Sequence, residues 1–201
     1  MRETHPNRET LVEAAIELLE EHPSQHVSVD MVLKASGISR GSLYHHFPEI
    51  SDLLDEAWVR RFARYIDDSI AQLQGVLLGA TTKQECMEGL FGVTRATQSP
   101  AMFPIRERRV FTLAQTVSRP SFRRQLGAEQ ARLTAAIADV VREVQARGWV
   151  RAEIDPVVMS VFIQSYTYGK YIDDITPDHM DHDAWVALID LFVVHTVMAP
   201  D

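Results

Sequence analysis

The stretch from Val27 to Leu54 constrains this chain more than any other, because it writes two short helices and a tight turn in local chemistry alone. Ser28 is placed to cap a first helix by accepting hydrogen bonds from its free amides, and Asp30 in the first turn suits the positive end of the dipole. Met31, Val32 and Ala35 give that helix its apolar side. Gly37 supplies the left-handed conformation that ends a helix at low steric cost. Ile38 fills the corner, and Ser39 caps a second helix running from Arg40 to His46. Two helices joined by a short glycine-containing turn form a helix-turn-helix layout.

The second helix carries the chemistry. Leu43 and Phe47, four residues apart, suffice to bury one side. Ser39, Arg40, Ser42, Tyr44 and His45 present hydrogen-bonding groups on the other, and Gly41 leaves room for close backbone approach. Such a helix suits the DNA major groove, where arginine bonds guanine in bidentate fashion and serine reaches several base edges. Tyr44 and His45 at the far end can reach phosphates, which fix register without reading sequence.

The run Ala35-Ser36-Gly37-Ile38-Ser39-Arg40-Gly41-Ser42-Leu43-Tyr44-His45-His46-Phe47, with Ser28-Val29-Asp30 before it and Leu53-Leu54 behind it, resembles the tetracycline-repressor-like (TetR) transcriptional regulators. Beyond the motif the resemblance lies in length and helical layout. It implies an all-α fold: a three-helix DNA-binding head over residues 1–47, joined to a larger helical ligand-binding and dimerisation body over residues 48–201. It further implies a homodimer on a pseudo-palindromic double-stranded DNA operator, most simply a repressor released by a small-molecule effector. Ser28 joins Tyr44 and His45 as a phosphate contact in this reading, with Ser39, Arg40, Gly41 and Ser42 in the groove. Family members usually carry a lysine near the start of the following helix; this chain has Ile50 there.

Charge sets a second reading beside the first. The 201-residue chain carries a formal net charge of −8. Up to Phe47 it has four basic residues against seven acidic ones. Non-specific DNA affinity grows with the phosphates neutralised by Lys and Arg, so this balance predicts weak non-specific binding. The alternative is a dimeric small-molecule or protein-binding module whose head keeps its fold and binds DNA poorly.

The rest of the chain reads as helix. Asn7 is expected to cap a first helix, with Leu11, Ala15, Leu18 and Leu19 inside, that ends at His22-Pro23. A long helix follows the motif to about Leu73, and residues 75–82 read as a loop. Further helices are expected over residues 83–97 and around Ile105 to Ala114, where the run Arg106-Glu107-Arg108-Arg109 reads as a solvated face. Pro120 opens a long helix with Phe122, Leu126, Leu133, Ile137, Val140, Val141 and Val144 at spacings of three and four, closing at Arg147-Gly148. Two final helices, from Asp155-Pro156 and from about Asp183, are apolar nearly all round, so each needs cover on two sides. A second copy supplies that cover in the family, which points to Val158, Phe162, Trp185, Leu188 and Phe192 as dimer residues.

The effector pocket is likewise implied by the resemblance. Its candidate lining is Phe62, Ile66, Met87, Phe91, Met102, Phe103, Phe111, Phe162 and Tyr166, with Gln115 or Gln164 as polar partners. Such a lining suits an apolar or aromatic molecule. The acids and histidines between Asp173 and Asp183 read as a solvated loop favouring the start of the last helix, not as a metal site. No phosphate loop or nucleophile elbow occurs, so no enzyme and no cofactor is expected. A single cysteine, Cys86, and no apolar run of about 18 residues fit a cytoplasmic protein.

Overall fold

The computed structural model describes residues 5–22 and 26–200. The helices are α1 (Pro6–Glu21), α2 (Val29–Ser36), α3 (Arg40–His46), α4 (Ile50–Leu78), α5 (Lys83–Gln98), α6 (Phe103–Ala114), α7 (Pro120–Ala146), α8 (Pro156–Asp174) and α9 (His182–Phe192). A 3₁₀ turn, Pro100–Met102, precedes α6, and a π turn, Val193–Val197, extends α9. Among the described residues there is no strand, only an isolated bridge between Val150 and Met198. The expected all-α architecture is therefore observed.

The chain divides into two compact units, Met1–Arg64 and Tyr65–Asp201, so α4 contributes to both. In the first unit Leu11, Val12, Ala15 and Leu19 of α1 are buried with Val32, Leu43, Phe47, Leu53 and Ala57. Each large aliphatic side chain withdrawn this way contributes about 1.5–3 kcal/mol. The helix α1 starts one residue before Asn7, at Pro6, with the His5 ring accepting from the Asn7 amide. Pro6 needs no hydrogen-bond acceptor for its nitrogen and fixes the first φ, which is why the start moves. Asn7 instead donates its side-chain amide to Ser42 Oγ at 3.2 Å. His22 closes α1; Pro23, expected to break it, lies outside the described residues.

In the second unit α7 buries Phe122, Leu126, Leu133, Ile137, Val140, Val141 and Val144, the full expected stripe. Gly148 follows at φ 75°, a left-handed conformation that favours glycine. The loop expected over residues 75–82 is shorter than expected, because α4 continues through Gly75 to Leu78. The stop comes at Gly79, where a β-carbon would stand 2.8 Å from the Gly75 carbonyl oxygen. Helices α8 and α9 leave an apolar face uncovered within one chain: Val158 is 66% and Leu188 59% exposed, with Val157, Val161, Phe162 and Leu191 beside them in the sequence pattern.

Candidate nucleic-acid interface and ligand cavity

The head presents α3 as the sequence implies. Ser28 Oγ accepts from the Met31 amide and Ser39 Oγ from the Ser42 amide, each at 3.3 Å, so both serines cap their helices. Gly37 sits between them at φ 68°, its amide bonded to the Leu33 carbonyl. These anchors fix the turn, and Leu43 and Phe47 are buried beneath it. Ser28, Ser39, Arg40, Gly41, Tyr44 and His45 are exposed, and Ser42 is half-buried beside Asn7. All seven candidate DNA residues thus lie on the α2–α3 surface or at its edge.

Two electrostatic features qualify that surface. The Arg40 guanidinium pairs with Asp30 of α2, and both are open to solvent, at 56% and 81%. An exposed pair of this kind contributes at most about 1 kcal/mol, so the guanidinium is readily given up to another partner. Two of the five acids of α1 are answered by arginines of α4, Glu9 by Arg60 and Glu13 by Arg64, while Arg8 of α1 pairs with Glu56 of α4. The charge of Glu9 and Glu13 is therefore balanced locally by arginines that lie beyond Phe47 in the sequence. His46 lies with its ring 4.9 Å from His5 and 5.1 Å from His45. Loss of hydration, then the neighbouring His5, His45 and Arg8, hold it below the ordinary histidine range. Lowering its pKa favours the neutral ring, so His46 adds little positive charge at neutral pH.

The second unit contains an apolar cavity of about 70 Å³. Its wall draws on α4, α5, α7, α8 and α9, and includes Leu90, Val93, Val140, Met159, Phe162 and Tyr166. The polar groups in it are few. The Tyr166 hydroxyl shares a hydrogen bond with Thr94, and burial pushes its pKa up, so it stays neutral. Cys86 is fully buried in the same wall, and burial pushes its thiol up as well, which makes it a small apolar neighbour rather than a nucleophile.

Of the nine candidate ligand residues, Phe162 and Tyr166 line this cavity. Phe62 belongs to the first unit, and Phe62 and Ile66 are buried core. Phe103 lines a different, ionic cavity of about 330 Å³ with Lys170, Asp173, Asp174 and His179. Met87, Phe91 and Met102 are half-buried, and Phe111 is exposed. Gln115 is half-buried and lines neither cavity. Gln164 is occupied, donating to Thr134 Oγ1 at 3.1 Å and to the Ser160 carbonyl at 3.0 Å. The sequence stretch missed the aliphatic wall because its residues come from five helices and each reads as ordinary core.

The Arg106-to-Arg109 run is not a solvated face. Arg106 is 2% and Arg109 8% exposed; Glu107 and Arg108 remain outside. Arg106 pairs with both oxygens of Asp174, at 2.9 Å through one terminal nitrogen, and donates to the Thr97 and Ser99 carbonyls at 3.1 Å each. Lys170 completes the cluster, 2.6 Å from Asp173 and 3.0 Å from Asp174. Burial alone raises the Asp174 pKa, but the hydrogen bonds and charges of Arg106 and Lys170 outweigh it and hold the carboxyl below its usual range. Asp173 and Asp174 therefore belong to the end of α8 and not to a solvated loop, because buried cations await them there. Asp181 does cap α9, as the acid-rich stretch suggested. Among the described residues no group of histidines, cysteines and acids stands close enough to hold a metal.

A sequence profile of bacterial regulatory proteins, tetR family, matches residues 11–57, which spans the α2–turn–α3 unit just described. The transcriptional regulator UidR of Escherichia coli is 23% identical over 171 residues, 85% of this chain and 83% of its own. Residues 11–57 are thus a TetR-family segment, and the chain as a whole is similar to TetR-family regulators. Its relatives are regulators of transcription, which act by binding DNA and are not enzymes. Solved structures share the TetR fold over nearly the whole length. A transcriptional regulator from Saccharomonospora viridis in complex with choline superposes with a TM-score of 0.68 at 18% identity, covering 96% of this chain and 98% of that one. GusR of Salmonella enterica gives 0.62 at 20%, covering 96% and 97%. No helix of the described residues is long and apolar enough to cross a membrane.

Proposed function

We propose that this TetR-family regulator is a homodimeric repressor whose α3 helices read a pseudo-palindromic operator and whose second unit binds an apolar or aromatic effector. The observation that carries DNA reading is the α3 surface: polar and exposed along Ser39, Arg40, Gly41, Tyr44 and His45, over a base fixed by two serine caps and a left-handed glycine. A helix needed only for packing would use Leu43 and Phe47 alone. In this reading Ser39, Arg40, Gly41 and Ser42 face base edges, and Ser28, Tyr44 and His45 hold phosphates.

Dimerisation is supported by the uncovered face of α8 and α9. Val158, Phe162 and Leu188 are exposed; Trp185 and Phe192 are half-buried, and Trp185 donates to the buried Gln98 of its own chain. A single copy leaves this contiguous apolar surface in water, and an isologous contact with a second copy removes it. The apolar cavity, walled by Phe162 and Tyr166 among others, supports an uncharged effector. An effector binding one arrangement of the body better than another shifts the population, and α4, shared by both units, transmits the change.

The test is fluorescence anisotropy of the purified protein on its own upstream DNA, beside scrambled DNA, across a salt series. Specific binding that survives moderate salt supports the reading. Equal weak binding to both DNAs supports instead a dimeric binding module with a poorly binding head, the alternative that the acidic balance of the head and Ile50 motivate. Leu188→Glu, read by analytical ultracentrifugation, tests the dimer: the account expects monomer, and an unchanged mass excludes this face as the interface.

A further inference from the structure

We propose that Arg109 is the anchor of an anion-binding site where α4, α6 and α8 meet in the second unit, taking the carboxylate of a small organic acid. The inference is separate from the apolar cavity and from DNA binding.

The starting observation is a contrast on one helix. Arg106 and Arg109 lie three residues apart on α6, hence on one face, and both are buried. Arg106 has a full carboxylate partner in Asp174. Arg109 has none within ion-pair distance among the described residues. Its guanidinium lies instead between two phenol rings, 4.5 Å from the centroid of Tyr65 and 4.5 Å from that of Tyr168. One terminal nitrogen donates to the Tyr65 hydroxyl at 2.8 Å and the other to the Tyr168 hydroxyl at 2.7 Å. The Nε of Arg109 is fully buried and has no hydrogen-bond partner.

These contacts satisfy geometry and leave charge unbalanced. Guanidinium is always protonated in proteins, and ring faces and neutral hydroxyls stabilise a cation only in part. Tyr168 does not serve as a hidden counter-anion, because burial pushes its pKa up and outweighs the nearby Arg109 charge. A buried ion is normally paired, since taking an unpaired charge out of water is costly.

The hydrogen-bond inventory points the same way. A guanidinium has five N–H groups, of which two are used on the tyrosines, leaving Nε–H and one on each terminal nitrogen. The two hydroxyls accept from Arg109, and neither donates to any described residue. The cluster is therefore all donors and one positive charge, converging from three helices. A carboxylate is the complement: acceptor-only, and bearing the single negative charge that one guanidinium balances. A doubly charged phosphate would leave net charge buried.

The experiment is a thermal-shift and calorimetric titration of the full-length protein without DNA, using acetate, its uncharged isostere acetamide, and methyl phosphate, at constant ionic strength. The expected result is a rise of about 3–6 °C once acetate stands tenfold above its Kd, none with acetamide, and a smaller one with methyl phosphate. Arg109→Met is expected to weaken acetate binding by on the order of tenfold to a hundredfold while folding without it. Tyr168→Phe, which keeps the cation and removes one donor, is expected to reduce the acetate shift and serves where the first variant fails to fold. Equal shifts with acetate and acetamide, no acetate shift at all, a larger shift with methyl phosphate, or an acetate shift unaltered in the folded variants would each overturn the assignment.

Discussion

Arg40 in the first unit and Arg106 in the second make the same pair, guanidinium with aspartate, and the two pairs do opposite work. Arg40 and Asp30 meet in water; Arg106 and Asp174 are buried, and Arg106 also closes the Thr97 and Ser99 carbonyls at the end of α5. In water the pair is nearly free to separate, so Arg40 can change partner. In the interior each charge depends on the other, because an uncompensated buried ion is costly. Accessibility, more than chemistry, decides whether an arginine stays available or is held.

The comparison breaks most visibly at Arg106. Arg106→Ala leaves Asp174 buried with Lys170 alone and is expected to destabilise the protein by about 3–5 kcal/mol, read as a lowered midpoint in thermal or urea unfolding. Acid should act on the same pair. The folded Asp174 pKa lies below the ordinary carboxyl range, so its contribution is fully present above that range and is lost as pH falls through the lowered folded value. A stability titration between pH 5 and pH 2 checks this, within the ordinary range for acid unfolding. Replacing Asp174 by Asn should remove that component of the acid loss.

The smallest expected change is at the exposed pair. Asp30→Asn should alter stability by less than about 1 kcal/mol. If α3 reads DNA as proposed, it should nevertheless raise DNA affinity at low salt, because it frees Arg40 and removes one negative charge beside it. Anisotropy on operator DNA checks it, and a weakened affinity would show that Asp30 positions Arg40 for reading instead of competing for it.

The same contrast explains how much was legible in the sequence. The α2–turn–α3 unit could be read residue by residue because its determinants are local: Ser28, Gly37 and Ser39 act within a few residues of themselves, and all three act as expected. The α7 stripe was legible for the same reason. Arg106 was misjudged because its partner is 68 residues away, and a charged residue is exposed by default. Arg109 gave still less signal, since its partners are two tyrosines on other helices. The cavity wall was hidden in plain aliphatics such as Leu90, Val93 and Val140, which nothing local separates from core. Distant pairing, not weak periodicity, marks the limit of the sequence reading.

The most direct test of the account is Arg40→Ala, measured by anisotropy on the operator and on scrambled DNA, with the thermal midpoint alongside. The account predicts a loss of about 1–3 kcal/mol on the operator, relaxed base preference, a much smaller loss on scrambled DNA, and a midpoint close to wild type. Unchanged operator binding would contradict it, and would remove α3 from the groove.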